Sequence, residues 1–272
     1  MEKRKKYYPV LMYHEVSSTC SHQVEENFMT PIYNISSSCF EKQLRTIHEL
    51  NIDTGLVHEL GAEIPGKNKT VFLTFDDGCI GNHTEALPLL RQYGQRATFF
   101  VTTNLIGTDN YMTWEQVKDL ANEGMAVQSH AMNHVHLTTL SGKRLLNELT
   151  GSKKIIEDKI LQPVTALSLP HGSYNQQTID CAVEAGYSVV CTSDVHYNSS
   201  SSWRAHDAAV CLGRIAITTK TPINTFISLV QGKKRAILKE RLKKGSKNLL
   251  KRIIGIENYG KLYRLYFNIK DD

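Results

Sequence analysis

A chain of 272 residues with 41% hydrophobic and 22% charged residues has the composition of a packed protein and room for one large domain or two small ones. This excludes wholesale disorder, collagen-like repeats and low-complexity architectures. The net charge of +5 conceals an asymmetry: residues 233–264 carry twelve Lys/Arg against two Asp/Glu, a net of +10, while the remainder carries a net of −5.

Short apolar, β-rich runs recur along the chain at Tyr8–Tyr13, Val71–Phe75, Ala97–Thr102, Met125–Gln128, Ala166–Leu169, Tyr187–Cys191 and Cys211–Ile217. Amphipathic stretches separate most of them: Ser37–Leu50, His83–Tyr93, Thr113–Glu123, Ser141–Ile160 and Gln176–Ala185. Strands alternating with helices predict parallel pairing through crossover helices. Seven such strands predict an α/β fold, a single distorted (β/α)7-type barrel with a basic helical C-terminal tail. The body is assigned to residues 1–232 and the tail to residues 233–272. Ser37 and Ser38, ahead of Glu41, predict a capped start for the first helix. Thr113 predicts the cap of the third, and Gly124 its stop.

No apolar run approaches the ~20 residues of a membrane-spanning helix. The start Met-Glu-Lys-Arg-Lys-Lys has no apolar core behind it, so no secretory signal is read and a cytoplasmic location is expected. The six cysteines show no C-x-x-C spacing and are expected to be reduced, mostly small core residues.

Thr74-Phe75-Asp76-Asp77-Gly78 ends the second strand run. Parallel α/β folds place reactive groups at the carboxyl ends of strands, and two adjacent carboxylates there are tolerated if a cation neutralises one. Read alone, Asp-Asp-Gly is equally a good turn. Ser129-His130-Ala131-Met132-Asn133-His134 ends the fourth run. Two histidines four apart reach one metal if the segment is helical, and Asp77 supplies a third ligand. Three protein ligands leave positions open for water and substrate, the pattern of a catalytic ion.

With these two motifs the chain resembles the metal-dependent polysaccharide deacetylases, carbohydrate esterase family four. The family's T-F-D-D-G stands unchanged at 74–78, and its H-[ST]-x-x-H stands as His130-Ala131-Met132-Asn133-His134, followed by Leu137 in pattern. The resemblance spans roughly Tyr8 to Gly232. It implies Asp76 as general base toward the attacking water, and Asp77, His130 and His134 as ligands of one divalent ion, zinc first with cobalt, nickel or manganese as substitutes. Ala131 departs from the family's Ser or Thr.

The third motif survives as Pro170-His171-Gly172, without the arginine usual three residues before the proline. With Tyr174-Asn175 following, it resembles the poly-N-acetylglucosamine deacetylase branch. The His171 N–H is then the oxyanion donor, with Pro170, Gly172 and Tyr174 lining the substrate side. Arg214 is the candidate to orient Asp76 in place of the missing arginine. The late histidine of most members is also absent. The same branch carries it early, and Leu11-Met12-Tyr13-His14 offers His14 as the acid that protonates the leaving amine. Trp203 is a candidate to stack on a sugar face, and Trp114 reads as the buried start of a helix. Cys79 reads as packing.

The resemblance implies removal of N-acetyl groups from an N-acetylhexosamine polysaccharide, oligosaccharide or lipid-linked glycan. A catalytically degenerate carbohydrate-binding barrel is the alternative. In the tail, Leu238, Leu242, Leu249 and Ile253 share a helical face among lysines and arginines. This predicts either an anionic membrane surface as partner for residues 233–264, at the inner membrane face, or a helix packed on the barrel. Nucleic acid is not expected as a partner, for want of a recognised fold that would bind it.

Overall fold

The computed structural model describes residues 7–18, 31–60, 69–199 and 209–254, with side chains as far as Ser246. Seven parallel strands form the body: β1 (Val10–Tyr13), β2 (Thr70–Phe75), β3 (Thr98–Val101), β4 (Ala126–Ser129), β5 (Ala166–Ser168), β6 (Val189–Cys191) and β7 (Val210–Leu212). Each pairs with the next in this order. The predicted run Cys211–Ile217 is not one straight strand. It breaks at Gly213–Arg214, and its second half, β8 (Ile215–Ala216), pairs in parallel with Leu11 and Met12 of β1. One bent segment thus holds both ends of the sheet and completes a distorted barrel.

Period-two alternation sorts the strand residues. Val10, Phe72, Phe100, Ala166, Val189, Cys191 and Leu212 form one buried cluster, together with Tyr8, Val57 and Leu60. Their neighbours Leu11, Leu73, Phe99, Val101, Leu167 and Val190 face the second, larger core under the helices. Counting on by twos from the first set reaches His14, Asp76, Ser168 and Arg214, so the parity that fills the barrel also aims these four polar groups across its mouth.

The crossover helices are α1 (Ser37–Glu49), α2 (Leu87–Gln92), α3 (Trp114–Asn122), α4 (Gly142–Ile160) and α5 (Gln176–Glu184). In α1 the cap is Ser36, whose Oγ accepts from Cys39 N–H at 3.2 Å; the predicted Ser37 and Ser38 are already helical. Residues 34–36 pair with 15–17, and this short strand places the cap one residue earlier than the sequence signal. Thr113 caps α3 as expected, in a reciprocal box with Gln116. The predicted helix from His83 begins as a wide turn over Asn82–Ala86 before α2. Pro88, lacking an N–H, sits in the first turn of α2. Two helices follow the barrel: α6 (Ile223–Val230), which the pattern did not reveal, and α7 (Lys234–Ile254) in the basic tail.

Among the described residues no helix is long and apolar enough to cross a membrane. Cys79, Cys181, Cys191 and Cys211 are free thiols. Cys20 and Trp203 lie outside the described residues.

Candidate active site

Asp77 follows the end of β2 in the left-handed region (φ 77°), and Gly78 continues there (φ 87°). These two residues turn the chain over the barrel mouth. Glycine at position 78 suits this φ, and a Cβ there would stand 2.9 Å from Ile106 Cδ1, which would have to move aside. The turn brings Asp77 Oδ1 to 3.3 Å from His130 Nε2 and 3.2 Å from His134 Nε2.

The histidines do not meet on a helix, as their spacing suggested. His130 extends β4, and the chain then loops with Ala131 (φ 61°) and His134 (φ 51°) both left-handed. This conformation costs a non-glycine residue ~1–2 kcal/mol, so the surroundings must hold it. They do so densely. Ser129 Oγ accepts from Ala131 N–H at 3.1 Å, and Ser152 Oγ donates to Ala131 O at 3.1 Å. The buried carboxylate of Glu148 accepts from Met132 N–H, Asn133 N–H and Asn133 Nδ2 at 2.9, 2.7 and 2.6 Å. Ala131 is fully buried, and the hydroxyls holding its backbone come from Ser129 and Ser152 instead of its own side chain.

Ligand atoms of Asp77, His130 and His134 all lie within 4.8 Å of one another, the one such metal-competent group among the described residues. Their chemistry fits a cation. Asp77 Oδ1 is buried, yet neither imidazole meets it with hydrogen-bond geometry. His130 Nδ1 lies 2.9 Å from Ser168 O, which fixes the Nδ1–H tautomer and leaves Nε2 as a lone pair toward Asp77. Burial raises the Asp77 carboxyl, but His130 and His134, when their Nε2 atoms carry protons in place of a cation, outweigh it and hold the group well below the usual carboxylate range.

Asp76 points inward and is 2% exposed. Arg214, 1% exposed, grips it with both ends of the guanidinium: Nη1 to Oδ1 at 2.7 Å and Nη2 to Oδ2 at 2.8 Å. Ser168 Oγ donates to Oδ2 at 3.1 Å and receives Arg214 Nη2 at 2.8 Å. Arg214 Nε donates to Thr192 O at 3.1 Å, so the buried cation is satisfied. Burial opposes ionisation of Asp76, and Arg214 outweighs it, leaving the carboxyl below its ordinary value. The break in the seventh strand is what delivers this arginine to the barrel axis.

His14, one residue past β1, has a buried Nδ1 with no hydrogen-bond partner among the described residues. Its ring packs on Tyr33 at 4.5 Å between centroids, and Asn82 Nδ2 donates to its carbonyl at 2.7 Å. Burial lowers its pKa, while Asp77 and Asp76 are near enough to pull it upward. His171, in the 3-10 turn Pro170–Gly172, is also left-handed (φ 58°), and its N–H makes no hydrogen bond among the described residues. Its ring stacks on His136 at 4.0 Å, and its Nε2 faces His134 O at 3.1 Å. Tyr174 is exposed at the rim and donates to Asp194 Oδ2 at 2.7 Å. Cys79 is a core residue, as read from its context. Trp114 is half-buried against the core at the start of α3.

The sequence and the fold that carry these groups have counterparts among known proteins. The profile of the polysaccharide deacetylase family matches residues 63–190. The chain belongs to that family, carbohydrate esterase family four. YxkH of Bacillus subtilis is 32% identical over 190 residues, covering 68% of this chain and 64% of that one. A peptidoglycan-N-acetylglucosamine deacetylase of Bacillus cereus is 35% identical over 130 residues, covering 47% of this chain and 58% of that one. The chain thus spans less than two thirds of the length of these curated relatives. Among solved structures, the Streptococcus pyogenes deacetylase PplD in complex with acetate superposes with a TM-score of 0.72 at 26% identity. That match covers 83% of this chain and 99% of PplD. The polysaccharide deacetylase family is metal-dependent, and Asp77, His130 and His134 are the group here that could hold the ion.

Ser168, Thr192 and Glu148 were not singled out by the sequence. Each acts through a hydrogen bond to a residue distant in the chain, and no spacing rule marks such a partner. Arg214 is marked in the sequence only by the absence of an arginine three residues ahead of Pro170.

Proposed function

We propose that the protein hydrolyses the N-acetyl amide of an N-acetylhexosamine glycan. The observation that carries this reading is the buried Arg214–Asp76 pair standing beside the convergent Asp77, His130 and His134. A bound divalent ion, zinc by the chemistry of two imidazoles and one carboxylate, supplies a more acidic water and a polarised amide carbonyl. Asp76 stays ionised through the neutral range and takes the proton of the attacking water. Its weak basicity is acceptable where the water itself is made acidic. The His171 N–H, unengaged at a left-handed turn, donates to the developing oxyanion. His14, once protonated, gives the leaving amine the proton it requires. Tyr174 and Asp194 at the rim contact the sugar.

A carbohydrate-binding barrel without turnover has no use for a carboxylate locked by a buried arginine next to the metal group. The two departures from the family pattern, Ala131 and the missing arginine, are offset by Ser152 and Arg214. The name of the Bacillus cereus relative supports peptidoglycan as one substrate to include. A location at the cytoplasmic face of a membrane stays part of this proposal: Leu238 and Leu242 are exposed on α7 amid basic residues. Leu249 and Ile253 lie beyond the described side chains. The test is acetate release from chitooligosaccharides, peptidoglycan fragments and lipid-linked N-acetylhexosamines, with zinc, cobalt, nickel and manganese compared. Release from at least one class supports the proposal. No release from any class with metal-loaded protein overturns it.

A further inference from the structure

The basic helix α7 lies wholly beyond the segment that the family profile matches, yet it is fastened along the loop that steadies the site. That loop, residues 192–197, follows β6. At its far end Tyr197 OH lies 3.3 Å from Leu229 O and 3.1 Å from Lys233 O, the junction of α6 and α7. Between the anchor points Val195 and Tyr197 pack against the same core as Ala236 and Ile237. At its near end, Lys244 Nζ donates to Ser193 O and lies 3.9 Å from Asp194 Oδ1. The helix therefore runs along the loop from one end to the other.

The near end of this loop touches the catalytic groups from both sides. Thr192 O accepts Arg214 Nε at 3.1 Å, and Asp194 O accepts Arg214 N–H at 2.9 Å. Both bonds fix the residue whose guanidinium holds Asp76. Ser193 Oγ would stand 2.3 Å from a Cβ on Gly172, so the loop also presses on the turn carrying the His171 N–H. Asp194 receives the Tyr174 hydroxyl at 2.7 Å. Residues 192–194 thus back the base and the oxyanion turn together, and Lys244 holds the middle residue of the three.

We propose that Lys244 is a positioning residue for the deacetylase reaction: through Ser193 it holds the 192–194 segment that fixes Arg214 against Asp76 and the turn at His171. The basic tail is then a working part of the site and not only an appendage to it. This inference rests on the deacetylase reading above. A misplacement of about 1 Å at reacting groups can cost up to ~100-fold in rate, so even a modest relaxation of this loop is measurable.

The test uses the full-length, metal-loaded protein as wild type, Lys244→Met and Lys244→Arg. Two readouts are taken: steady-state acetate release, and amide hydrogen exchange over residues 190–197. Lys244→Met is expected to lower kcat about tenfold with KM within twofold of wild type. Exchange in the 190–197 segment accelerates, and Lys244→Arg restores both values. Unchanged exchange in Lys244→Met overturns the proposal, as does faster exchange with an unchanged kcat. If wild type itself releases no acetate, the deacetylase reading fails. The exchange comparison still decides whether Lys244 holds the loop.

Discussion

Arg214 and Asp76, 138 positions apart in the chain, meet through two parallel hydrogen bonds of 2.7 and 2.8 Å inside the barrel mouth. A fork-to-carboxylate pair of this kind fixes orientation as well as charge. No arginine stands three residues ahead of Pro170 to supply such a pair. Here the partner comes instead from the break in the seventh strand, and the carboxylate is held all the same.

Removing one member of a buried pair leaves the other charged and unpaired. Arg214→Ala is expected to destabilise the protein by about 3–5 kcal/mol and to abolish turnover. Arg214→Lys keeps the charge but loses the fork, so it should fold with a smaller loss and still lower kcat tenfold or more. Urea unfolding with parallel acetate assays checks both. Wild-type stability in Arg214→Ala would show that the pair contributes nothing.

The same pair sets an acid limit. Arg214 outweighs burial and depresses the Asp76 carboxyl in the folded state, so its stabilising contribution is complete above the unfolded value near ~3.9. It is lost as pH falls through the lower, folded value. The stability difference between wild type and Asp76→Asn should therefore be constant at neutral pH and shrink below about pH 4. Denaturant melts between pH 3 and 7 measure it, and a difference that does not vary with pH would contradict the linkage.

Glu15 carries the opposite sign. Burial is the largest influence on it, partly offset by the hydrogen bond from Val16 N–H, and its pKa is raised to about 7. The unfolded chain ionises near ~4.3 while the folded one stays protonated. Stability is thus given up as pH rises from there to about 7. Glu15→Gln keeps an oxygen for Val16 N–H and never ionises. Its Tm should exceed that of wild type at pH 8 and match it at pH 4. A lower Tm at pH 8 would show that the ionised form is stabilised in place.

Glu148 anchors the loop between the two histidines with three accepted hydrogen bonds. Glu148→Ala leaves the Met132 and Asn133 backbone N–H groups and one side-chain amide without this acceptor. The left-handed residues then lose their hold. Supporting groups around metal ligands typically contribute 10–100-fold to affinity, so zinc binding should weaken by about tenfold or more. Competition with a fluorescent chelator measures this directly. Unaltered zinc affinity would mean that the loop holds itself.

Much of this arrangement could be read from the chain, and the reasons for the rest are physical. The seven strands, their parallel pairing, the Asp76-Asp77 pair and the two histidines His130 and His134 stand out by local pattern, apolar runs ending in polar groups, whereas His14 and the role of Asp76 follow only from the family resemblance. The path between His130 and His134 does not, because spacing by four suits a helix, and only Ser129, Ser152 and Glu148 make a loop affordable there. The break at Gly213–Arg214 is hidden in an apolar run that reads as one strand. A Cβ on Gly213 would meet His196 and Asp194 O, contacts that exist only after the barrel has closed. Ser36 in place of Ser37 or Ser38 as cap follows from a strand pairing with residues 15–17, which no window around the helix contains.

Acetate release by Asp76→Asn, compared with wild type at equal measured zinc content, bears most directly on the central claim. Asparagine preserves size and still accepts one hydrogen bond from Arg214, but it cannot take a proton. The expected result is zinc bound stoichiometrically by both proteins, with kcat lower by about 10²–10⁴-fold in the variant. A variant that carries zinc and releases acetate at the wild-type rate would contradict the assignment of Asp76 as the base.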